Sequence, residues 1–151
     1  MPAQRLQQYL DQQGVKYRVI SHSPAFTAQE VAEAAHIPGR MMAKVVIMTL
    51  DGQMAMVAVP APKIIHPRNL ARSLSVQQAT LLHENDFREQ FPDCEAGALP
   101  PFGNLYEMPV YIDSELARQQ EIVFSAGSYR ELFSLPMKDY LRLVQPQEIT
   151  H

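Results

Sequence analysis

Two parts of this chain have the residue types and spacing to do chemistry: Lys44, and the run Gly97-Ala98-Leu99-Pro100-Pro101-Phe102-Gly103. Adjacent prolines fix their own backbone angles, and Pro100 also pushes Leu99 toward an extended conformation. Glycines at both ends supply bends that bulkier residues resist. Such a stiff loop holds out backbone rather than side chains. The Leu99 carbonyl and the amides of Phe102 and Gly103 can face a ligand, while neither proline has an N–H to give. A tight turn wrapping a strand end is the other reading of these residues. Lys44 opens a strongly apolar strand, so its ammonium sits at the rim of a pocket, partly desolvated and suited to charge-assisted hydrogen bonds. A lysine that only keeps a strand end soluble fits that position as well.

The remaining polar candidates have two readings each. His22 either lines a site or bonds to backbone. Ser125, Gly127 and Ser128 form either a close-approach turn beside a ligand or an ordinary strand ending. Met41, Met42 and Met48 flank Lys44 in sequence and suit either an adaptable pocket or core packing. Cys94 lies between Asp93 and Glu95, whose charges oppose thiolate formation, so a packed or idle thiol is expected.

Familiar catalytic machinery is missing. The five histidines, His22, His36, His66, His83 and His151, never fall at metal-ligand spacing, and with one cysteine there is no Cys-x-x-Cys. Neither a Gly-x-Ser-x-Gly elbow, a phosphate-binding Gly-Lys-Ser/Thr loop nor a dinucleotide fingerprint is present. No metal and no cofactor are expected.

The elements that must position these groups follow from periodicity. Leu6, Tyr9 and Leu10 fall at i, i+3, i+4, an amphipathic helix ending at Gly14, with a short alternating strand over Val15 to Ile20. Thr27-Ala28-Gln29-Glu30 is a capping box opening a helix that stops around Ile37-Pro38-Gly39. Lys44 to Leu50 is an almost continuous apolar strand, which implies burial on both faces. Asp51-Gly52 turns it back into Met54 to Val59. Helices are expected over Asn69 to Leu74, over Glu84 to Phe91, and after Pro136. Strands are expected over Pro109 to Ile112 and Ile122 to Phe124, with a Ser114-capped turn between. Hairpins interleaved with helices argue for an α+β class.

At 151 residues the chain is expected to form one domain, residues 1–151, long enough to bury about two-thirds of its unfolded surface. No apolar run approaches the roughly 20 residues that span a bilayer, and no signal-peptide core opens the chain. A reducing compartment, the cytoplasm, is therefore expected, with no membrane partner. Thirteen basic against sixteen acidic residues give a net charge of −3, so no global basic field draws this chain onto nucleic acid. Lys63, Arg68 and Arg72 are the nearest thing to a basic patch.

The segment Asp93 to Gly103 resembles the glycine-proline loop of the YbaK/ProX family of aminoacyl-tRNA deacylases, free-standing relatives of the editing domain in bacterial prolyl-tRNA synthetases. Three further places agree in order. His22 to Thr27 with Glu30 is similar to the start of the family's first core helix. Ala43-Lys44-Val45-Val46-Ile47 is similar to the strand bearing its functional lysine. Ile122 to Ser128 is similar to its late strand and glycine turn. The resemblance covers about Val15 to Val144.

It implies a mixed, partly closed β-barrel flanked by helices. The implied activity is trans-editing: hydrolysis of the ester of a mischarged aminoacyl-tRNA, with small amino acids such as alanine, serine, threonine or cysteine as substrates. That ester is already activated, so positioned water and backbone donors to the oxyanion suffice. Lys44, Phe102 and Gly103 then take the catalytic roles. His22, Met42, Gly97, Pro100, Pro101, Ser125, Gly127 and Ser128 bind substrate, and Val45 bears on substrate choice. The implied partners are the 3′ end of an aminoacyl-tRNA and an aminoacyl-tRNA synthetase. A non-catalytic module that holds an aminoacyl end or a free amino acid is the rival, and a general small-ester hydrolase is a third.

Overall fold

The computed structural model describes residues 4–22, 27–95, 97–128 and 130–150. Helix α1 spans Gln4–Gln12 and buries Leu6 and Leu10. It closes where the Gly14 amide donates to the Asp11 carbonyl and the Val15 amide to the Leu10 carbonyl, both 3.1 Å, with Gly14 at φ +68°. Val15 is thus spent on a helix cap, and strand β1 begins only at Arg18, running Arg18–Ser21. The capping box forms as expected. Thr27 Oγ1 accepts from the Glu30 amide at 3.1 Å, and the Glu30 carboxylate accepts from the Thr27 amide at 3.3 Å, opening α2 at Ala28–Ala34. Ser23 to Phe26, the middle of the His22–Thr27 motif, lie outside the described residues.

Strands β2 (Ala43–Leu50) and β3 (Gln53–Pro60) make the central hairpin. Asp51 and Gly52 both have positive φ, 50° and 86°, the geometry whose twist matches the flanking strands. The hairpin is buried on both faces. Ile47 and Met56 pack with Phe91, Leu99 and Met108 on one side, while Met48, Leu50, Val57 and Val59 pack with Leu70 on the other. Leu70 belongs to α3, Pro67–Leu74. Strand β4, Ala79–Leu81, pairs on the outer edge of β2. Next come α4 (Glu84–Phe87), a 3₁₀ turn at Arg88–Gln90 and a second at Gly103–Leu105. Strand β5 (Val110–Asp113) runs parallel to β3, and after α5 (Ser114–Ala117) come β6 (Glu121–Ser125) and β7 (Glu131–Pro136). Helix α6 (Met137–Val144) and β8 (Gln147–Ile149), parallel to β5, complete the order. The cap of α5 is Asp113, not Ser114: its carboxylate accepts from the Glu115 amide at 2.8 Å.

The fold is α+β, with a five-stranded sheet ordered β4-β2-β3-β5-β8 and a three-stranded sheet ordered β1-β7-β6. The sheets meet at a parallel bridge between Met42 and Val123, where the Val123 amide donates to the Met41 carbonyl at 3.1 Å. Among the described residues these ladders do not close into a barrel. A second core, of Phe102, Phe124, Phe133, Met137 and Tyr140, fills the space between α1, α6 and the smaller sheet. Among the described residues no helix is long and apolar enough to cross a membrane.

Candidate active site

Lys44 is the second residue of β2, paired across the hairpin with Val59. Its ammonium donates to the carbonyl of Lys63, in the stretch that follows β3. Lys63 is itself held at its far end: its Nζ lies 2.7 Å from Oδ2 of Asp113, which is fully buried at the end of β5. The other Asp113 oxygen caps α5. A carboxylate taken out of water needs such compensation, and here an ammonium and a backbone N–H supply it. Lys44 is therefore aimed by a carbonyl whose residue is anchored at a buried ion pair. Burial lowers the Lys44 pKa from that of a free lysine, because the half-buried ammonium loses solvation.

The Pro-Pro loop is stitched down from several directions. The Gly127 amide donates to the Ala98 carbonyl, and the Glu95 amide donates to the Gly127 carbonyl, both at 2.8 Å. Gly97 and Gly127 adopt φ of +75° and +93°, which favours glycine at each. The buried Tyr140 hydroxyl donates to the Pro101 carbonyl at 2.6 Å. The Phe102 ring lies wholly in the core, with centroids 5.3 Å from Tyr140, 5.4 Å from Phe124 and 6.2 Å from Tyr9. The late glycine turn and the proline loop, read separately in the sequence, are thus one unit.

This unit and the start of β2 enclose a cleft of about 240 Å³. Lys44, Val45 and Val46 line one side, Gly97 and Leu99 another, and Ser125 with Thr27 and Ala28 complete it. None of these lining side chains is a carboxylate, an imidazole or a thiol. The cleft can orient a small group and offer it an ammonium and hydroxyls, but among the described residues its lining has no side chain built to take a proton at neutral pH.

Of the expected site residues, Lys44, Gly97 and Ser125 come together here, with Val45. The others stand behind them. Pro100 and Pro101 are buried within the loop and do not line the cleft. Met42 is 1% exposed among Val31, Val123 and Leu132, and Met48 is fully buried, so both are core residues, while Met41 packs at the edge of the Met42 cluster. Ser128 Oγ accepts from the Arg130 amide at 3.4 Å, within a turn. The His22 amide donates to the Arg130 carbonyl at 2.9 Å. Phe102 and Gly103 do not line the cleft. Phe102 anchors the loop, and a Cβ on Gly103 would meet Val110 Cγ2 at 2.6 Å and the Met108 carbonyl oxygen at 2.7 Å, so packing alone demands glycine there.

Thr27 was legible only as a cap, and the Lys63–Asp113 pair was not foreseen. An aspartate ending the apolar run Val110-Tyr111-Ile112 was the available signal for a buried carboxylate. Cys94 bears out the expected direction of its shift. Its pKa is pushed up to about 11, chiefly by burial, with Asp93 adding to it and the Tyr106 hydrogen bond opposing it.

Known proteins share this chain's sequence pattern and fold. Residues 22–143 match the family described as the aminoacyl-tRNA editing domain. Among curated proteins, the chain is 28% identical over 149 residues to the multifunctional Ser/Thr-tRNA deacylase ProXp-y of Escherichia coli, covering 95% of this chain and 89% of that one. Among solved structures, a putative trans-editing enzyme for prolyl-tRNA synthetase superposes with a TM-score of 0.80 at 22% identity, covering 99% and 97% of the two chains. A crystallised hypothetical protein gives 0.85 at 14% identity, covering 98% and 100%. With more than half its length matched, the chain belongs to the aminoacyl-tRNA editing domain family.

Proposed function

We propose that this protein is a trans-acting aminoacyl-tRNA deacylase that hydrolyses the ester of a wrongly charged tRNA. The observation that carries this reading is a cleft of about 240 Å³ with Lys44 on one wall and the Gly97–Leu99 loop on another, with no carboxylate or imidazole in its lining among the described residues. The Ser125 and Thr27 hydroxyls beside Lys44 suit a short amino acid such as alanine, serine, threonine or cysteine, the kind of substrate that the sieve logic of editing selects.

Water adds to the ester carbonyl, the carbon–oxygen bond to the ribose breaks, and the ribose oxygen takes the proton. Free amino acid and uncharged tRNA leave. An adjacent ribose hydroxyl activates the water, which is why the lining needs no carboxylate or imidazole. Lys44 holds the aminoacyl end by charge-assisted hydrogen bonds to its carbonyl or terminal phosphate oxygens, strengthened by partial removal from water. Gly97 and the backbone beside Leu99 form the wall against the carbonyl, and Ser125 and Thr27 offer hydroxyls to a polar amino-acid side chain. Phe102, Gly103, Pro100, Pro101 and Gly127 act by fixing that wall, while Met42, His22 and Ser128 fix its surroundings.

The two sheets, joined at Met42–Val123, are read as the walls of an incomplete barrel around this cleft. The substrate's location gives the cytoplasm as the compartment. A net charge of −3 favours a synthetase partner that supplies grip on the tRNA body.

The test is release of labelled amino acid from a panel of correctly and wrongly charged tRNAs. Fast release from one or a few small-amino-acid species is expected. No release above the uncatalysed rate from any species, with tight binding of an aminoacyl end retained, would replace the deacylase by a binding module. Turnover of simple aryl esters without RNA would mark a general esterase.

A further inference from the structure

Beside the cleft lies a second cavity, of about 500 Å³, walled by Pro60, Pro62 and the side chains of Arg40, Lys63 and Arg118. The two spaces share a partition. Ala43 lines the cleft and pairs in register with Pro60, which lines the cavity. Lys63 lines the cavity while its carbonyl receives the Lys44 ammonium. The cleft and the cavity are therefore neighbours, linked through the Ala43–Pro60 pair and the Lys44–Lys63 hydrogen bond.

The cavity's charges are unevenly spent. Lys63 is neutralised by Asp113 at 2.7 Å, with Glu115 a further 3.9 Å from its Nζ. Arg40 and Arg118 are exposed, and neither forms an ion pair among the described residues. Two guanidiniums that form no ion pair among the described residues thus share the lining with one partly engaged carboxylate, Glu115, and two prolines. Guanidiniums pair bidentately with phosphate and stack on bases, and apolar walls accept a base or ribose face.

We propose that this cavity is a second subsite, taking an unpaired nucleotide next to the aminoacylated terminus, with its phosphate on Arg40 and Arg118 and its base against Pro60 and Pro62. The assignment rests on the deacylase reading for its substrate, and it explains how a chain of net charge −3 engages RNA at all: binding is confined to the single-stranded end.

The test uses the full chain, its Arg40→Ala, Arg118→Ala and double variants, and Arg68→Ala, which makes the same charge change at a separate cavity. Binding is read by fluorescence anisotropy with a labelled uncharged RNA pentanucleotide ending in CCA. Hydrolysis is read with aminoacyl-tRNA and with an aminoacyl-adenosine that stops short of the cavity. Each guanidinium removed should weaken pentanucleotide binding roughly tenfold. The slope of log affinity against log salt should fall by about 0.7 for each phosphate that the variant no longer neutralises. Arg68→Ala should bind the pentanucleotide like wild type. On aminoacyl-tRNA the double variant should raise KM with kcat kept, and on aminoacyl-adenosine it should match wild type.

Pentanucleotide binding that is absent in wild type, or equal in wild type and double variant, overturns the subsite. Equal loss on both hydrolysis substrates overturns it too, because the damage would then lie in the cleft. Should wild type hydrolyse nothing yet lose pentanucleotide affinity with the two arginines, the subsite stands and the deacylase reading falls.

Discussion

Replacing Asp113 by alanine breaks an ion pair and a helix cap with one change. The side chain is fully buried, and its oxygens accept from Lys63 Nζ at 2.7 Å and from the Glu115 amide at 2.8 Å. Breaking a buried pair from one side costs about 3–5 kcal/mol, because the remaining charge is left without compensation. Lys63 keeps 19% side-chain exposure and can turn toward water, which puts this loss at the lower end. Loss of the α5 cap adds about 1 kcal/mol. A total near 4 kcal/mol, at roughly 2–4 °C per kcal/mol for a chain of this size, lowers Tm by about 10 °C.

Urea unfolding gives the free energy directly, and an unchanged m-value would show that the unfolded state is not what moved. The same variant loosens the carbonyl that aims Lys44, so KM for the aminoacyl ester should rise even at temperatures where the variant is fully folded. Asp113→Asn, which keeps an acceptor for the cap, should fall between alanine and wild type in both assays. A loss below about 1 kcal/mol with unchanged KM would refute the argument that the Lys63–Asp113 pair anchors the site.

Gly103→Ala should destabilise by about 1–3 kcal/mol in urea unfolding, since its Cβ would sit 2.6 Å from Val110 Cγ2 and 2.7 Å from a backbone oxygen. Tyr140→Phe should cost about 1–2 kcal/mol, as the Pro101 carbonyl loses its donor, and should lower kcat through a looser loop wall. Cys94 should resist alkylation at neutral pH, its rate climbing only toward pH 11. Because the unfolded thiol ionises near 9.0 and the folded one near 11, Cys94 contributes stability below pH 9 that is lost as pH rises through that window. Cys94→Ala should flatten that decline, as followed by urea midpoints from pH 8 to 11.

What could be read from the sequence was what local chemistry decides. The Thr27–Glu30 box, the Asp51-Gly52 turn and the apolar run of β2 each specify their conformation within a few residues, and all three form. Strands β4, β7 and β8 were not foreseen. Two are three residues long, and β7 becomes a strand because β1 and β6 pair on both its sides, a fact held more than a hundred residues away in the case of β1. The site divides along the same line. Strand polarity and loop stiffness left Lys44 and Gly97 with two readings each, and the family resemblance singled them out as candidates; the structure lines one cleft with both. The place of Phe102 was not legible, since whether a loop aromatic faces ligand or core depends on Tyr9, Phe124 and Tyr140, from three distant segments. The Lys63–Asp113 pair spans 50 residues, and its one local trace is the aspartate that ends an apolar run, which does not name its partner.

The central claim, that Lys44 in the small cleft holds an aminoacyl-tRNA for hydrolysis, is tested most directly by single-turnover deacylation of a seryl- or alanyl-mischarged tRNA with wild type and Lys44→Met. Methionine keeps the apolar stem and removes only the ammonium, so folding is expected to be preserved. The account predicts a loss of at least about a hundredfold in kcat/KM, equivalent to about 2.7 kcal/mol. It also predicts that wild-type activity declines as pH rises through a Lys44 pKa lower than that of a free lysine. Full activity in folded Lys44→Met, with the same pH profile, would contradict it.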